Sequence, residues 1–266
     1  MRVVCLFLLA MAMSSPAMAC GAKTDCQLGE RIYRIYMPER KSADPVGAII
    51  FAHGYRGTAA GTMGNKSLLK LADELGVALV APQAIGSGWR LPNRPRQRDN
   101  TGEIEFSYFR DLIGELKSRY GIDTGKLLMS GFSGGGMLVW NLACHMGDRF
   151  AGFAPIAGTF WAPVPKNCPT PILDLMHFHG TKDDVVPLDG RPIADAKQSE
   201  VYDALDLTVR LGGFGEARPV DAEGLDCERR TNAAGKVLEF CTHGGGHGYK
   251  ADYIRRAWRG LNIAGR

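Results

Sequence analysis

Three residues that can together cleave an acyl bond lie between the middle and the C-terminus of the chain, each in a glycine-rich or turn-forming setting. Ser133 lies in Gly-Phe-Ser-Gly-Gly, Asp183 lies in Thr-Lys-Asp-Asp, and His247 lies in Gly-Gly-Gly-His-Gly. A serine hydroxyl becomes a strong nucleophile when a histidine takes its proton and an acid holds that histidine in the required tautomer. We therefore predict Ser133 as the nucleophile, His247 as the base and Asp183 as the acid.

The acid and the base each have a neighbouring alternative. Asp184 adjoins Asp183 and is expected to face away from the site. His243 lies closer than His247 to the apolar run that precedes both, so His247 is expected to reach the serine more easily. His53, which follows an earlier apolar run, is interpreted as a structural residue.

The elements around the serine explain its setting. The apolar residues 127–129 read as a buried strand, and Met137, Leu138 and Leu142 fall on one face of a helix after the serine. Strand, G-x-S-x-G and helix form the nucleophile elbow, whose tight turn projects the serine hydroxyl and leaves no room for neighbouring side chains. This pattern predicts an α/β-hydrolase fold, with a mostly parallel central sheet flanked by helices.

Further apolar runs supply the other elements of that fold in the required order. The first predicted strand, 31–37, alternates polar and apolar residues and is expected at the edge of the sheet. The other strands are predicted over 46–52, 77–81, 150–157, 172–178 and 237–241, and the helices over 66–75, 103–120, 199–211 and 252–261.

Two loops are expected to complete the site. The strand 46–52 ends in His-Gly-Tyr, where this fold places one half of its oxyanion hole. We predict that N–H groups near Tyr55 and the N–H of Gly134 receive the developing negative charge. Trp89 and Trp161 follow later strands and are tentative substrate contacts, although Trp161 is equally well explained as a cover for the core.

The loop 82–102 is unusually basic. It carries one acid, Asp99, and four arginines, Arg90, Arg94, Arg96 and Arg98. Loops that follow the strands of such a sheet face the active site, so one of these arginines is a candidate substrate contact. An ordinary solvated surface loop is the alternative.

The N-terminus has the features of an export signal. Arg2 precedes an apolar run, and small residues at 17 and 19 form an A-x-A cleavage site. We predict a signal peptide at 1–19, a single catalytic domain at 20–266, and a secreted or periplasmic location. Lipidation of Cys20 is a minor alternative. The formal net charge of +4 falls to +3 without this segment, which gives no indication of a nucleic-acid partner.

Six cysteines remain after Cys5 leaves with the signal, and their even number in an exported chain indicates disulfides. Nearness in sequence favours the pairs Cys20–Cys26, Cys144–Cys168 and Cys227–Cys241, although other pairings are open. No C-x-x-C spacing occurs, so no metal is expected.

Several longer motifs together resemble the secreted esterases grouped with polyhydroxybutyrate depolymerases, feruloyl esterases and acetylxylan esterases. They are HGYRGTA, YGIDTGKLLMSGFSGGGM leading into LAC, FAPIAG, HFHGTKDDVVPLDG and GGGHGY. The resemblance spans about residues 31–249. It implies a Ser133–His247–Asp183 triad and an oxyanion donor at Tyr55, without a cofactor. Tyr249-Lys250-Ala251 and Glu103-Ile104-Glu105 depart from the family pattern close to the expected site.

The sequence as a whole predicts a secreted serine esterase that acts on small or oligomeric esters. Hydroxyalkanoate or polyhydroxybutyrate-type esters are the main predicted substrates, and feruloyl or acetylxylan esters are the alternative. A peptidase and a non-catalytic binding protein on the same fold are lesser alternatives. The sequence does not indicate an oligomeric state.

Overall fold

The fold was analysed in a computed structural model of the chain, which describes residues 20–39, 44–96 and 101–266. The predicted signal peptide, Cys5, Arg98 and Asp99 lie outside the described residues.

Within the described residues, ten strands form one sheet and two short strands form a separate hairpin. The sheet strands are β1 (Cys26–Leu28), β2 (Arg31–Tyr36), β3 (Ala48–Ala52), β4 (Ala78–Pro82), β5 (Leu127–Phe132), β6 (Gly152–Ile156), β7 (Leu175–Gly180), β10 (Arg218–Val220), β11 (Asp226–Thr231) and β12 (Val237–His243). The hairpin consists of β8 (Arg191–Ile193) and β9 (Ala196–Gln198). The sheet order is β1-β2-β4-β3-β5-β6-β7-β12-β11-β10.

The middle of the sheet is parallel and its two borders are antiparallel. Strands β4, β3, β5, β6, β7 and β12 run parallel to their neighbours within this group. Strands β3 to β6 are fully or almost fully buried, as continuous apolar runs in parallel sheets require, because helices cover both faces. The predicted mostly parallel central sheet is confirmed.

The helices divide between the two faces of the sheet, each over its own apolar core. The helices are α1 (Ala59–Met63), α2 (Lys66–Leu75), α3 (Glu103–Tyr120), α4 (Gly134–His145), α5 (Val201–Gly212) and α6 (Ala251–Gly260). Residues of α3, α4 and α5 share one core cluster, whereas α1, α2 and α6 belong to the other. Gly76 and Gly121 end α2 and α3 in the left-handed conformation, as helix-terminating glycines do.

The prediction that strand 31–37 lies at the edge is wrong. Its counterpart β2 pairs with β4 on one side and with β1 on the other, both antiparallel. β1 was missed because it is only three residues long, which is too short to show periodicity. Strands β10 and β11 and the β8–β9 hairpin were also not predicted.

The described cysteines form three disulfides: Cys20–Cys26, Cys144–Cys168 and Cys227–Cys241. These are the pairs that nearness in sequence favours. The first ties the start of β1 to the segment that precedes it, and the third joins paired residues of β11 and β12. The second ties α4 to the loop before β7. None of the described helices is long and apolar enough to span a membrane.

Candidate active site

Ser133 lies on the tight turn between β5 and α4. Ser133 has φ 57° and ψ −120°, a backbone conformation that costs free energy for a non-glycine residue. Its N–H donates to the carbonyl of Ile156 in β6 at 2.9 Å, and its own carbonyl accepts from the N–H of Met137 in α4. Hydrogen bonds to β6 and α4 therefore hold the turn.

The two outer glycines of the motif are required by packing. A Cβ on Gly131 would lie 2.6 Å from the backbone of Gly135, and a Cβ on Gly135 would overlap the carbonyl of Ala52 in β3. Strand and helix therefore pass too close at the elbow for any larger residue, as the motif predicts.

His247 and Asp183 are joined by a direct hydrogen bond. The distance from His247 Nδ1 to Asp183 Oδ2 is 2.7 Å. The other carboxylate oxygen accepts the N–H groups of Val185 and Val186 at 2.9 and 2.8 Å, so the acid is held from both sides. This geometry suits an acid that orients a histidine and stabilises its cation.

The surroundings of Asp183 keep it ionised. Burial raises the pKa of its carboxyl, but the hydrogen bonds from His247 and from the N–H of Val186 outweigh this effect. The net result is a pKa below the ordinary value for aspartate. The neighbouring Asp184, the alternative acid, is exposed.

The loop after β12 brings His247 towards the elbow. The His247 ring packs against the ring of Phe132, with centroids 4.6 Å apart, and Phe132 immediately precedes Ser133. The alternative base His243 instead accepts a hydrogen bond from the N–H of Gly245 and stacks on Tyr253. Only His247 of this pair is hydrogen-bonded to Asp183.

The backbones of Tyr55 and Gly134 adjoin each other beside the serine. A Cβ on Gly134 would lie 3.5 Å from the backbone nitrogen of Tyr55. Gly134 is the first residue of α4, so its N–H has no acceptor within the helix. The backbone nitrogens of Tyr55 and Gly134 are therefore close to each other, and their role as oxyanion donors stays a prediction.

His53 shapes the loop that carries Tyr55. Its Nε2 accepts the N–H of Ala84 at 3.2 Å, which leaves the proton on Nδ1 to be donated to the carbonyl of Gly54 at 2.8 Å. Burial lowers its pKa, which favours this neutral form. These contacts agree with the structural interpretation of His53.

Ser133 opens into a cleft of about 900 Å³, called the active-site cleft below. Trp89 and Trp161 both contribute to its wall, and both are mostly buried, with 2% and 9% of their surface exposed. Trp89 donates its indole N–H to the carbonyl of His53 at 2.9 Å, so it also supports the loop after β3 that carries Tyr55. Substrate contact by either tryptophan remains a prediction.

Sequence reasoning missed the contribution of the β8–β9 hairpin. Arg191 and Gln198, one on each strand, line the active-site cleft together with Arg90, Arg94 and Arg96 from the basic loop. The hairpin strands have three residues each, so neither produced a signal in the sequence.

One cluster of potential metal ligands occurs in the described residues, formed by Cys227, Glu239 and Cys241. The two cysteines form a disulfide, so neither can supply the thiolate that a metal would need. This cluster does not fit a metal.

No protein-family profile matches the chain. The chain is 28% identical over 240 residues to NocK of Nocardia uniformis subsp. tsuyamanensis, which is named as an esterase, covering 82% of this chain and 70% of that protein. It is 24% identical over 252 residues to the "Probable feruloyl esterase C" of Aspergillus niger, covering 88% of this chain and 81% of that protein. The chain is a carboxylic-ester hydrolase. It resembles the feruloyl and acetylxylan esterases.

Solved structures agree with this fold. The acetyl xylan esterase from Aspergillus awamori matches with a TM-score of 0.62 at 15% identity, covering 87% of this chain and 94% of that chain. The esterase PE8 matches with a TM-score of 0.55 at 17% identity, covering 86% of this chain and 96% of that one. These likenesses show that the esterase has the predicted α/β-hydrolase fold.

Proposed function

We propose that this esterase works through a Ser133–His247–Asp183 triad and a covalent acyl-enzyme. The observation that carries the proposal is the 2.7 Å hydrogen bond between His247 and Asp183, with the His247 ring packed beside the strained elbow that bears Ser133. A base that is oriented by a buried acid and lies next to a half-buried serine on a tight turn is the arrangement that acyl transfer needs.

In the acylation step, Ser133 Oγ attacks the ester carbonyl carbon while His247 Nε2 takes the hydroxyl proton. The N–H groups of Gly134 and Tyr55 bind the oxygen that becomes negative. The tetrahedral intermediate then collapses, and His247 gives the proton to the departing alcohol oxygen. Asp183 stabilises the histidine cation throughout this step.

In the deacylation step, His247 takes a proton from water, and the resulting hydroxide attacks the acyl-enzyme carbonyl. Collapse of the second intermediate returns the proton to Ser133 and releases the carboxylic acid. The proposed mechanism uses no metal and no cofactor.

For the substrate, we propose feruloyl or acetyl esters of the plant cell-wall type. The feruloyl and acetylxylan esterases named among the relatives support this class better than the hydroxyalkanoate esters that the sequence first suggested. Four of those relatives align over about half of the chain only, and the chain covers less than half of their length.

We also propose that residues 1–19 are removed as a signal peptide and that the esterase works outside the cytoplasm. Three disulfides support this location, because such bonds persist in oxidising compartments. The Cys20–Cys26 bond occupies the thiol that lipidation would need, so a lipoprotein is the weaker alternative.

The test compares residues 20–266 with its Ser133→Ala variant on p-nitrophenyl acetate and butyrate, methyl ferulate, acetylated xylan and 3-hydroxybutyrate oligomers. Hydrolysis of acetylated xylan or methyl ferulate, lost in a folded Ser133→Ala variant, is the expected result. Preference for the hydroxybutyrate oligomers would overturn the substrate class. Activity retained by Ser133→Ala would overturn the triad.

A further inference from the structure

The active-site cleft has a one-sided charge. Four of its lining residues are arginines, Arg90, Arg94, Arg96 and Arg191, and no aspartate or glutamate occurs among the described residues that line it. Arg90, Arg94 and Arg191 are half-buried, so their charges act where solvent screening is reduced.

These arginines are not occupied by ion pairs within the described residues. No described carboxylate forms a salt bridge with Arg90, Arg94 or Arg191. Two carboxylates contact the basic loop through its backbone. The buried Glu105 accepts the N–H of Arg90 and the side chain of Arg31, and Asp195 accepts the N–H of Arg96. The guanidinium groups therefore retain unused donor capacity.

Arg94 lies next to the proposed oxyanion loop. A Cβ on Gly88 would be 3.2 Å from Arg94 Nη2 and 3.5 Å from Cδ2 of Tyr55, so the guanidinium and the tyrosine ring meet at Gly88. Burial, and after it the charge of Arg90, lower the pKa of Arg94, whereas the charge of Glu105 opposes this shift.

A second polar group in the cleft lacks a partner. Gln198 is 4% exposed, lines the cleft, and its side-chain Oε1 has no hydrogen-bond partner among the described residues. On the same hairpin, Arg191 is fixed by a 2.9 Å hydrogen bond from its Nε to the carbonyl of Val185, two residues from Asp183. The free Oε1 is an acceptor, so it can take a substrate hydroxyl or N–H group, whereas the arginines supply the donors that a carboxylate needs.

We propose that this cleft selects esters that carry an ionised carboxylate near the scissile bond, with Arg94 as the principal binding residue and Arg90 and Arg191 in support. This inference rests on the proposed function, because it describes the substrate of the same serine site. A planar guanidinium binds a carboxylate through two parallel hydrogen bonds, and unpaired arginines in a partly buried cleft favour an anion over a neutral group. The carboxylate can belong to the acyl group or to the alcohol.

Two matched substrate pairs distinguish these sources. The acyl-side pair is mono-p-nitrophenyl adipate and its methyl ester, and the alcohol-side pair is 4-acetoxybenzoate and its methyl ester. Each kcat/KM is divided by the hydroxide-catalysed rate constant of the same ester, which removes differences in intrinsic reactivity. In at least one pair, this normalised kcat/KM is expected to be about tenfold higher for the acid than for its methyl ester. A factor of this size corresponds to one charge-assisted hydrogen bond in a partly exposed site.

The Arg94→Gln variant is expected to reduce this acid-to-ester ratio by about tenfold, whereas Arg94→Lys is expected to retain part of it. Arg218, exposed on β10 and outside the cleft, provides the matched control, and Arg218→Gln should leave the ratio unchanged. In the unmodified protein, raising NaCl should lower kcat/KM for the preferred acid more than for its methyl ester, which tests the charge effect independently of any variant.

A ratio of one or below in both pairs overturns the inference, as does a preference that neither Arg94→Gln nor salt reduces. These failures are separate from failure of the triad, since that would appear as hydrolysis of the neutral methyl esters by Ser133→Ala. A neutral-ester preference that Ser133→Ala abolishes leaves the proposed function standing without the carboxylate requirement.

Discussion

The molecule has two arginine-rich surfaces, and they differ in how their charges are balanced. We define the C-terminal groove by Arg229, Arg255, Arg256 and Arg259 at β11 and α6. The loop 243–249 lines this groove, which shares no lining residue with the active-site cleft. Each of these four arginines is ion-paired, whereas Arg90, Arg94 and Arg191 in the cleft have no described ion pair.

The groove shows what structural arginines look like in this chain. Glu239 is fully buried, and it accepts hydrogen bonds from Arg229 at 2.6 Å and Arg256 at 2.7 Å. Glu74 receives Arg255 and Arg259 at 2.8 and 3.0 Å. A cluster of arginines is therefore not by itself evidence of a binding surface. The arginines of the groove are paired with carboxylates, whereas Arg90, Arg94 and Arg191 of the cleft are paired with none among the described residues. Substitutions in the cleft should therefore affect activity, and substitutions in the groove should affect stability.

The largest expected effect lies on the cleft side. Asp183→Asn should lower kcat by about 10⁴-fold, because the amide no longer holds His247 in the tautomer that accepts the serine proton. The backbone N–H groups of Val185 and Val186 still find an oxygen acceptor, so the variant should fold. Steady-state kinetics and circular dichroism measure both properties.

Asp184→Asn is the matched control, since Asp184 is adjacent and exposed. Its kcat should stay within about twofold of the unmodified enzyme, as is usual for a surface substitution. A larger loss in Asp184→Asn than in Asp183→Asn would transfer the role of acid to the neighbour.

The second effect lies on the groove side. Glu239→Gln should reduce the free energy of unfolding by about 3 kcal/mol, because two partly buried arginines lose their shared charge partner. Its kcat should not change. Urea denaturation measures the stability, and the p-nitrophenyl acetate assay measures kcat. A lower kcat without a loss of stability would show that the groove, like the cleft, serves activity.

A third effect concerns the histidines behind the cleft, His177 and His179, which are buried and joined by a 2.9 Å hydrogen bond. Burial lowers the pKa of both below the ordinary 6.5. The unfolded chain therefore takes up protons first on acidification. The stability that the two neutral histidines contribute is fully present above pH 6.5, and it is lost as the pH falls towards their lowered pKa values.

The free energy of unfolding should therefore fall by about 2 kcal/mol between pH 6.5 and pH 5, and thermal denaturation against pH measures it. His177→Phe should make this pH dependence shallower, because one of the two histidines no longer titrates. An equally steep dependence in the variant would exclude His177 as its source.

The smallest effect is expected from Glu74→Gln, which tests the exposed half of the groove. Its partners Arg255 and Arg259 remain accessible to water, so the loss of stability should be clearly smaller than that of Glu239→Gln. Urea denaturation beside Glu239→Gln gives the comparison. A loss as large as that of Glu239→Gln would show that burial does not set the strength of the groove pairs.

The sequence predicted the elements that carry their own signal. Helices 66–75 and 103–120 were predicted with the bounds that α2 and α3 have, because each combines apolar periodicity with a terminal glycine. The elbow was also predictable, since Gly131 and Gly135 are fixed by close backbone contact.

The missed parts depend on contacts between distant segments. No local pattern shows that β1 continues the sheet beyond β2, or that the β8–β9 hairpin brings Arg191 and Gln198 to the cleft. The basic loop was visible in the sequence. The finding that no described carboxylate pairs with the side chains of Arg90 and Arg94 depends on where Glu105 and Arg31 lie. Charge pairing across the fold cannot be read from composition.

The most direct test of the central claim, that Ser133 is the nucleophile, is covalent labelling with a fluorophosphonate followed by peptide mass spectrometry. We expect one phosphonyl group per chain, located on Ser133, with loss of esterase activity in proportion to labelling and no label on Ser133→Ala. A fully labelled protein that still hydrolyses p-nitrophenyl acetate, or a label on another residue that accompanies the loss of activity, would contradict it.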